Sequence, residues 1–135
     1  MKLSVVTPEK RIVTDVEATE VYVPGHRGEL GILPGHAPLV TTLSTGILRW
    51  KVKGSDKEET AAVSWGYCEV LADQVTVLAE TAEVASELDA KRAQDALDKA
   101  KAHLQRGDLS QEDREKYFNK LLRANSRLAL VKSIH

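Results

Sequence analysis

The chain has 135 residues, with 19 Lys and Arg against 20 Asp and Glu, a formal net charge of -1, and 4% aromatics. This balance argues against a nucleic-acid binder, which needs a basic surface and often stacking aromatics, and no apolar run approaches the roughly 18 residues of a membrane span. A single cysteine, Cys68, excludes an internal disulfide and fits a reducing compartment.

The first part of the chain has the grammar of strands. Residues 1–8 hold too short an apolar stretch for a signal peptide. Leu3–Thr7 and Ile12–Val16 are apolar, β-branched runs, and Glu20–Val23 alternates before stopping at Pro24-Gly25. All four prolines and four of the eight glycines fall within the first 40 residues. Most are concentrated in Gly28-Glu29-Leu30-Gly31-Ile32-Leu33-Pro34-Gly35-His36-Ala37-Pro38-Leu39. Pro fixes φ and Gly opens positive φ, so this segment predicts one tightly bent loop of fixed path, a common setting for binding residues. Ile47–Val52 stops at Gly54-Ser55-Asp56. Thr60–Trp65, Tyr67–Leu71 and Val75–Leu78 follow, divided by Gly66 and Ala72-Asp73-Gln74. Period-two β-branched runs with regular turn signals predict a β-sandwich or barrel. Cys68, inside such a run, reads as a small buried apolar residue rather than a reactive thiol.

From Ser86 onward the grammar is helical. Ser86 with Asp89 resembles a capping box. Ala93, Ala96, Leu97, Ala100 and Leu104 form an apolar stripe, and Gly107 is expected to end the helix in a left-handed conformation. Ser110 with Asp113 predicts a second start. Phe118, Leu121, Leu122, Asn125, Leu128, Ala129 and Val131 give the second stripe. The result is an antiparallel helical hairpin, each helix about 30 Å long. Its first helix offers mostly Ala, which buries little apolar area, so the hairpin needs another surface. Residues 1–82 carry a net charge of -3 and residues 83–135 a net charge of +2. A basic hairpin can therefore dock on its own acidic sandwich or reach for an acidic partner, or both faces are simply solvated.

No nucleotide-loop, dinucleotide, zinc-protease or hydrolase-elbow motif is present, and His26, His36, His103 and His135 show no metal-ligand spacing. His36 as a general base of a small enzyme has no nucleophile marked beside it; a structural or interface role fits better. Asp89 and Arg92 share one face of the first helix, and Arg123 and Arg127 share one face of the second. Antiparallel folding brings these groups towards each other. Guanidinium groups suit phosphate oxygens, so a phosphate ligand is one reading. The other is intramolecular, with Asp89 paired to Arg92 and the two later arginines facing water.

These residues resemble a family. Gly28–Leu39 is similar to the signature loop of the epsilon subunit of F-type ATP synthase of bacterial and chloroplast type. Gly46-Ile47-Leu48-Arg49, Trp65-Gly66-Tyr67-Cys68-Glu69-Val70 and Val75-Thr76-Val77-Leu78-Ala79 resemble its later landmarks in order. Trp65 departs from a Gly common there, a change expected to affect local packing only. The resemblance implies a sandwich of about ten strands over residues 1–83, followed by a two-helix regulatory hairpin over 84–135. It implies a non-catalytic central-stalk subunit of a proton-translocating synthase, bound to the gamma subunit and the c-ring. The hairpin is expected to extend towards the catalytic beta and alpha subunits and inhibit ATP hydrolysis. Glu29 and His36 would face the ring or gamma. Leu88-Asp89-Ala90-Lys91-Arg92-Ala93 resembles the family's ATP motif. With Arg123 and Arg127, it implies Leu88, Asp89, Arg92 and Ala93 as nucleotide contacts and ATP as a regulatory ligand rather than a required cofactor. The place implied is peripheral, on the cytoplasmic or stromal face of a cell inner or thylakoid membrane; Ile47-Leu48-Arg49 and the short N-terminus look like photosynthetic members.

Overall fold

Alternation of buried and open positions along Leu3-Ser4-Val5 and Val75-Thr76-Val77 sets one apolar face of each strand inward. In the computed structural model, which describes residues 1–134 and side chains through Val131, seven strands result. They are β1 (Lys2–Val6), β2 (Arg11–Gly25), β3 (Gly28–Ile32), β4 (Leu39–Leu43), β5 (Gly46–Val52), β6 (Glu58–Leu71) and β7 (Gln74–Val84). Two helices follow, α1 (Ala90–Leu104) and α2 (Gln111–Ile134), after a 3-10 turn at Ala85–Glu87.

The strands close a β-sandwich because the long ones serve both layers. β2 pairs with β1 through its first half and with β3 and β5 through its second. β6 pairs with β5 over Glu58–Val63 and with β4 over Gly66–Val70. β7 lies antiparallel to β6 and parallel to β1. This sharing explains seven strands where about ten are expected. Ile12–Val16 and Glu20–Val23 are one strand, bent at Asp15 with φ +49°. Thr60–Trp65 and Tyr67–Leu71 are likewise one strand, bent at Trp65 (φ +42°) and Gly66 (φ +151°). The Gly66 signal is real, but it bends the strand instead of ending it.

The Gly28–Leu39 segment is not one bent loop. Its first five residues are β3, hairpinned on β2 with Val21 opposite Ile32. The bend is confined to Leu33-Pro34-Gly35-His36, where His36 N donates to Leu33 O at 3.1 Å and Gly35 has φ +86°. Pro followed by a positive-φ Gly is the arrangement a type II turn demands.

Leu3, Val5, Val21, Val23, Ile32, Leu48, Val63, Cys68, Val75 and Val77 fill the sandwich core. The hairpin has a separate, smaller core of Ala93, Leu97, Ala124 and Leu128, with Leu121 against it. α2 lies against β5 and β6 as well as α1. It therefore has two working faces: Leu121, Ala124 and Leu128 towards α1, and a second face carrying Arg123, Arg127 and the fully buried Leu130. This division revises the single predicted stripe, from which Phe118 is left 52% exposed.

The helix ends also differ from expectation. Asp89, not Ser86, caps α1, accepting from Lys91 N at 2.9 Å and Arg92 N at 3.2 Å. Ser86 lies in the 3-10 turn, and α1 is correspondingly short, about 22 Å at 1.5 Å per residue. α1 ends at Gln105 in a right-handed conformation, so Gly107 sits in the connecting turn without positive φ. Ser110 caps α2 as expected, its Oγ accepting from Asp113 N at 3.1 Å.

Gly66 tests the strand-crossing geometry. A Cβ there would stand 1.8 Å from Leu78 O, in a backbone conformation that favours glycine. Gly66→Ala is expected to cost about 2–4 kcal/mol of stability, read from the denaturant midpoint; an unchanged midpoint would contradict the crossing geometry.

Candidate functional site

Three surfaces bear on function, and the first two carry residues singled out by the sequence. The first lies where α1 begins. Leu88, Asp89, Arg92, Ala93 and Arg127 line one hollow of about 240 Å³, together with Glu83, Glu87 and Ala96. Asp89 does not pair with the Arg92 side chain; its carboxylate is used on the α1 backbone, which fixes the helix start. Arg127 does not simply face water. Its Nε and Nη2 both donate to Glu83 Oε1, at 2.8 and 2.5 Å, linking α2 to the end of β7.

Arg123 lies in an adjoining hollow of about 270 Å³ that shares Ala96 and Arg127 with the first. Lys99, His103, Tyr117 and Lys120 complete its polar lining, with no carboxylate among them. Tyr117 and His103 stack with ring centroids 4.2 Å apart. The Arg123 guanidinium lies over the Trp65 ring, 5.5 Å from its centroid, and its Nε is buried without a hydrogen-bond partner among the described residues. Trp65 thus does more than local packing: it meets the hairpin.

The second surface is the β2–β3 hairpin. Arg49 holds Glu29 through Nη2 (2.6 Å) and Nε (3.3 Å), reaches Glu58 through Nη1 (3.2 Å), and stacks over Tyr22 at 4.7 Å. The hydrogen bond to Glu29 and the adjacent carboxylates raise the Arg49 pKa further above its ordinary value, although burial opposes them. Glu29 shares a hollow with Asn125, Ser126 and Ala129 of α2. The ring-facing candidate Glu29 and the hairpin are therefore neighbours.

His36 is elsewhere. Its Nδ1 is 2.7 Å from Ala37 O, and the small hollow beside it is formed by Met1, Leu33, Gly35, Val70, Asp73 and Val75. No hydroxyl or thiol side chain lines that hollow, which leaves a general base without a nucleophile. Among the described residues, no group of three His, Cys, Asp or Glu lies close enough to hold a metal, and no helix is long and apolar enough to cross a membrane.

The third surface is apolar and has no counterpart in the sequence reading. Thr42, Tyr67 and Leu78 lie side by side across β4, β6 and β7. Tyr67 is 57% and Leu78 49% exposed, and Val40 on β4 is 67% exposed. Alternation alone cannot reveal such a face, because its outward residues read as ordinary strand formers.

Comparison with known proteins supplies the family. The family profile described as "ATP synthase, Delta/Epsilon chain, beta-sandwich domain" matches residues 1–85. The chain belongs to this family. A relative named ATP synthase epsilon chain from Bdellovibrio bacteriovorus is 52% identical over 97 residues, 72% of this chain and 69% of the relative. One of the same name from Carboxydothermus hydrogenoformans is 50% identical over 106 residues, 78% of this chain and 77% of the relative. A chain in the Euglena gracilis mitochondrial ATP synthase structure of OSCP, F1 and c-ring matches with TM-score 0.82, covering 100% of this chain and 81% of that one; at 24% identity it speaks for the fold. The chain is accordingly a non-catalytic stalk subunit of an ATP synthase complex.

Burial pushes the Cys68 thiol up to about 11, consistent with a packing role. At pH 8 the folded chain should react with iodoacetamide roughly 100-fold more slowly than a free cysteine, because so little thiolate is present. Alkylation at the free-cysteine rate would contradict this assignment.

Proposed function

We propose that the chain couples the rotating c-ring to the gamma shaft of a proton-translocating ATP synthase, and that its hairpin restrains ATP hydrolysis by leaving the sandwich. The observation that carries the regulatory part is the separation of the two cores. The hairpin has its own cluster, and polar contacts such as Arg127 to Glu83 help hold it to the sandwich. Elements with few buried apolar contacts are the ones that open locally. When extended, the basic hairpin would meet acidic ground on the catalytic beta and alpha subunits.

The coupling part rests on the sandwich surfaces. The exposed Val40, Tyr67 and Leu78 face offers gamma an apolar area. Glu29, held by Arg49, and His36, fixed by the Pro34-Gly35 turn, are the contact residues proposed for the ring or gamma. Rigidity at both points suits a surface that transmits torque. The bacterial relatives favour the cytoplasmic face of a cell inner membrane over a thylakoid, with attachment through the complex.

Removing residues from Ser86 onward should leave a folded sandwich that still assembles with gamma, while ATP hydrolysis by the assembled enzyme rises. Unchanged hydrolysis would remove the inhibitory role. Glu29→Ala should weaken ATP-driven proton pumping while changing stability by no more than about 1 kcal/mol, since the lost pair is largely exposed. Full pumping in that variant would count against the proposed contact.

A second reading concerns ATP as a regulatory ligand of the docked hairpin. Leu88, Asp89, Arg92, Ala93 and Arg127 share one hollow, and Arg123 stands in the next. Phosphates belong on the side of Arg123, Lys99 and Lys120, where no carboxylate lines the wall. Binding there would favour the docked state by mass action. Titration calorimetry should show heat with ATP that Arg127→Ala abolishes; no heat at millimolar ATP would end this reading.

A further inference from the structure

We propose that Trp65 and Arg123 form a latch that holds the hairpin on the sandwich without any ligand. This inference rests on the reading of the hairpin as mobile, and it assigns one cause of its resting position.

Trp65 is poorly explained by the sandwich alone. It is not part of the buried core, and it occupies φ +42°, a region that bulky residues rarely adopt. The backbone strain falls at the point where β6 passes from its pairing with β5 to its pairing with β4. The indole there lies beneath Arg123 of α2. Arg123 is equally unusual, because its buried Nε has no acceptor among the described residues. The π face of Trp65 is the group that meets its charge, within the roughly 6 Å over which such contacts act. Four residues along, on the same helix face, Arg127 takes the Glu83 carboxylate. The two arginines of α2 thus hold the sandwich by different chemistry: one contact is a charge pair, and the other is a cation on an aromatic face.

The two contacts also differ in their response to conditions. Salt screens a charge pair as far as water reaches it, and Arg127 and Glu83 are each about a quarter exposed, whereas a guanidinium over an aromatic face keeps its apolar contact. The latch therefore persists when the Arg127 contact is weakened.

Amide hydrogen exchange on the full chain, resolved along α2 and β7, tests this. Trp65→Gly suits the positive φ and keeps the sandwich folded, while Arg123→Gln leaves the sandwich sequence untouched. Each should speed exchange of α2 amides roughly five-fold, leave β7 unchanged, and produce no further gain when combined. Independent, multiplying effects of the two substitutions would overturn the latch, as would no effect from either. An unchanged α2 with lost gamma binding in Trp65→Gly would also overturn it, assigning Trp65 to the assembly surface. If wild-type α2 exchanges only together with β7, the mobile hairpin itself fails, and the latch fails with it.

Discussion

The passage of β6 from one neighbour to another through Trp65-Gly66 organises much of this molecule. β4 and β5 occupy the same side of β6, one after the other, and the bend lets a single strand serve both. Gly66 is needed because the carbonyl of Leu78 lies where any side chain would go. Trp65 takes the strained position beside it and turns an aromatic surface towards α2. The same crossing that closes the sandwich therefore helps to create the seat of the hairpin.

The hairpin depends on that seat because its own resources are small. A buried Leu side chain contributes about 1.5–3 kcal/mol and an Ala much less, and the cluster between α1 and α2 is built from both. Asp89 and Ser110 fix the helix starts, but capping contributes only about 1 kcal/mol at each. Docking adds the two arginine contacts. An element held by a few contacts of this size can be shifted by a partner or a ligand that offers comparable ones. The sandwich, with its continuous core, has no comparable weak seam.

Much of the architecture was legible in the chain itself. Alternation along Leu3-Ser4-Val5 and Val75-Thr76-Val77 located strands, and the Ala93, Leu97, Ala100 spacing located a helix face. Gly66 marked a bend truly, but a bend and a strand end carry the same local signal, so only pairing could separate them. β3 stayed hidden because its glycines resemble a loop until Val21 and its neighbours pair with it. In the candidate site, Asp89, Arg92 and Arg127 do converge, yet the acidic partner of Arg127 comes from β7, far away in sequence. Trp65 beneath Arg123 was illegible for the same reason. α2 also has two working faces rather than one, the second carrying Arg123 and Arg127, which blurs any single stripe.

The central claim is that the hairpin is a separable element docked on a rigid sandwich. Spin labels at Lys53, after β5, and Gln111, at the start of α2, would report it directly, since buried Cys68 stays unlabelled. The isolated chain should give one dominant distance, that of the docked hairpin. Assembly with gamma and the catalytic subunits should add a distinctly longer one. A single unchanged distance under both conditions would contradict the account.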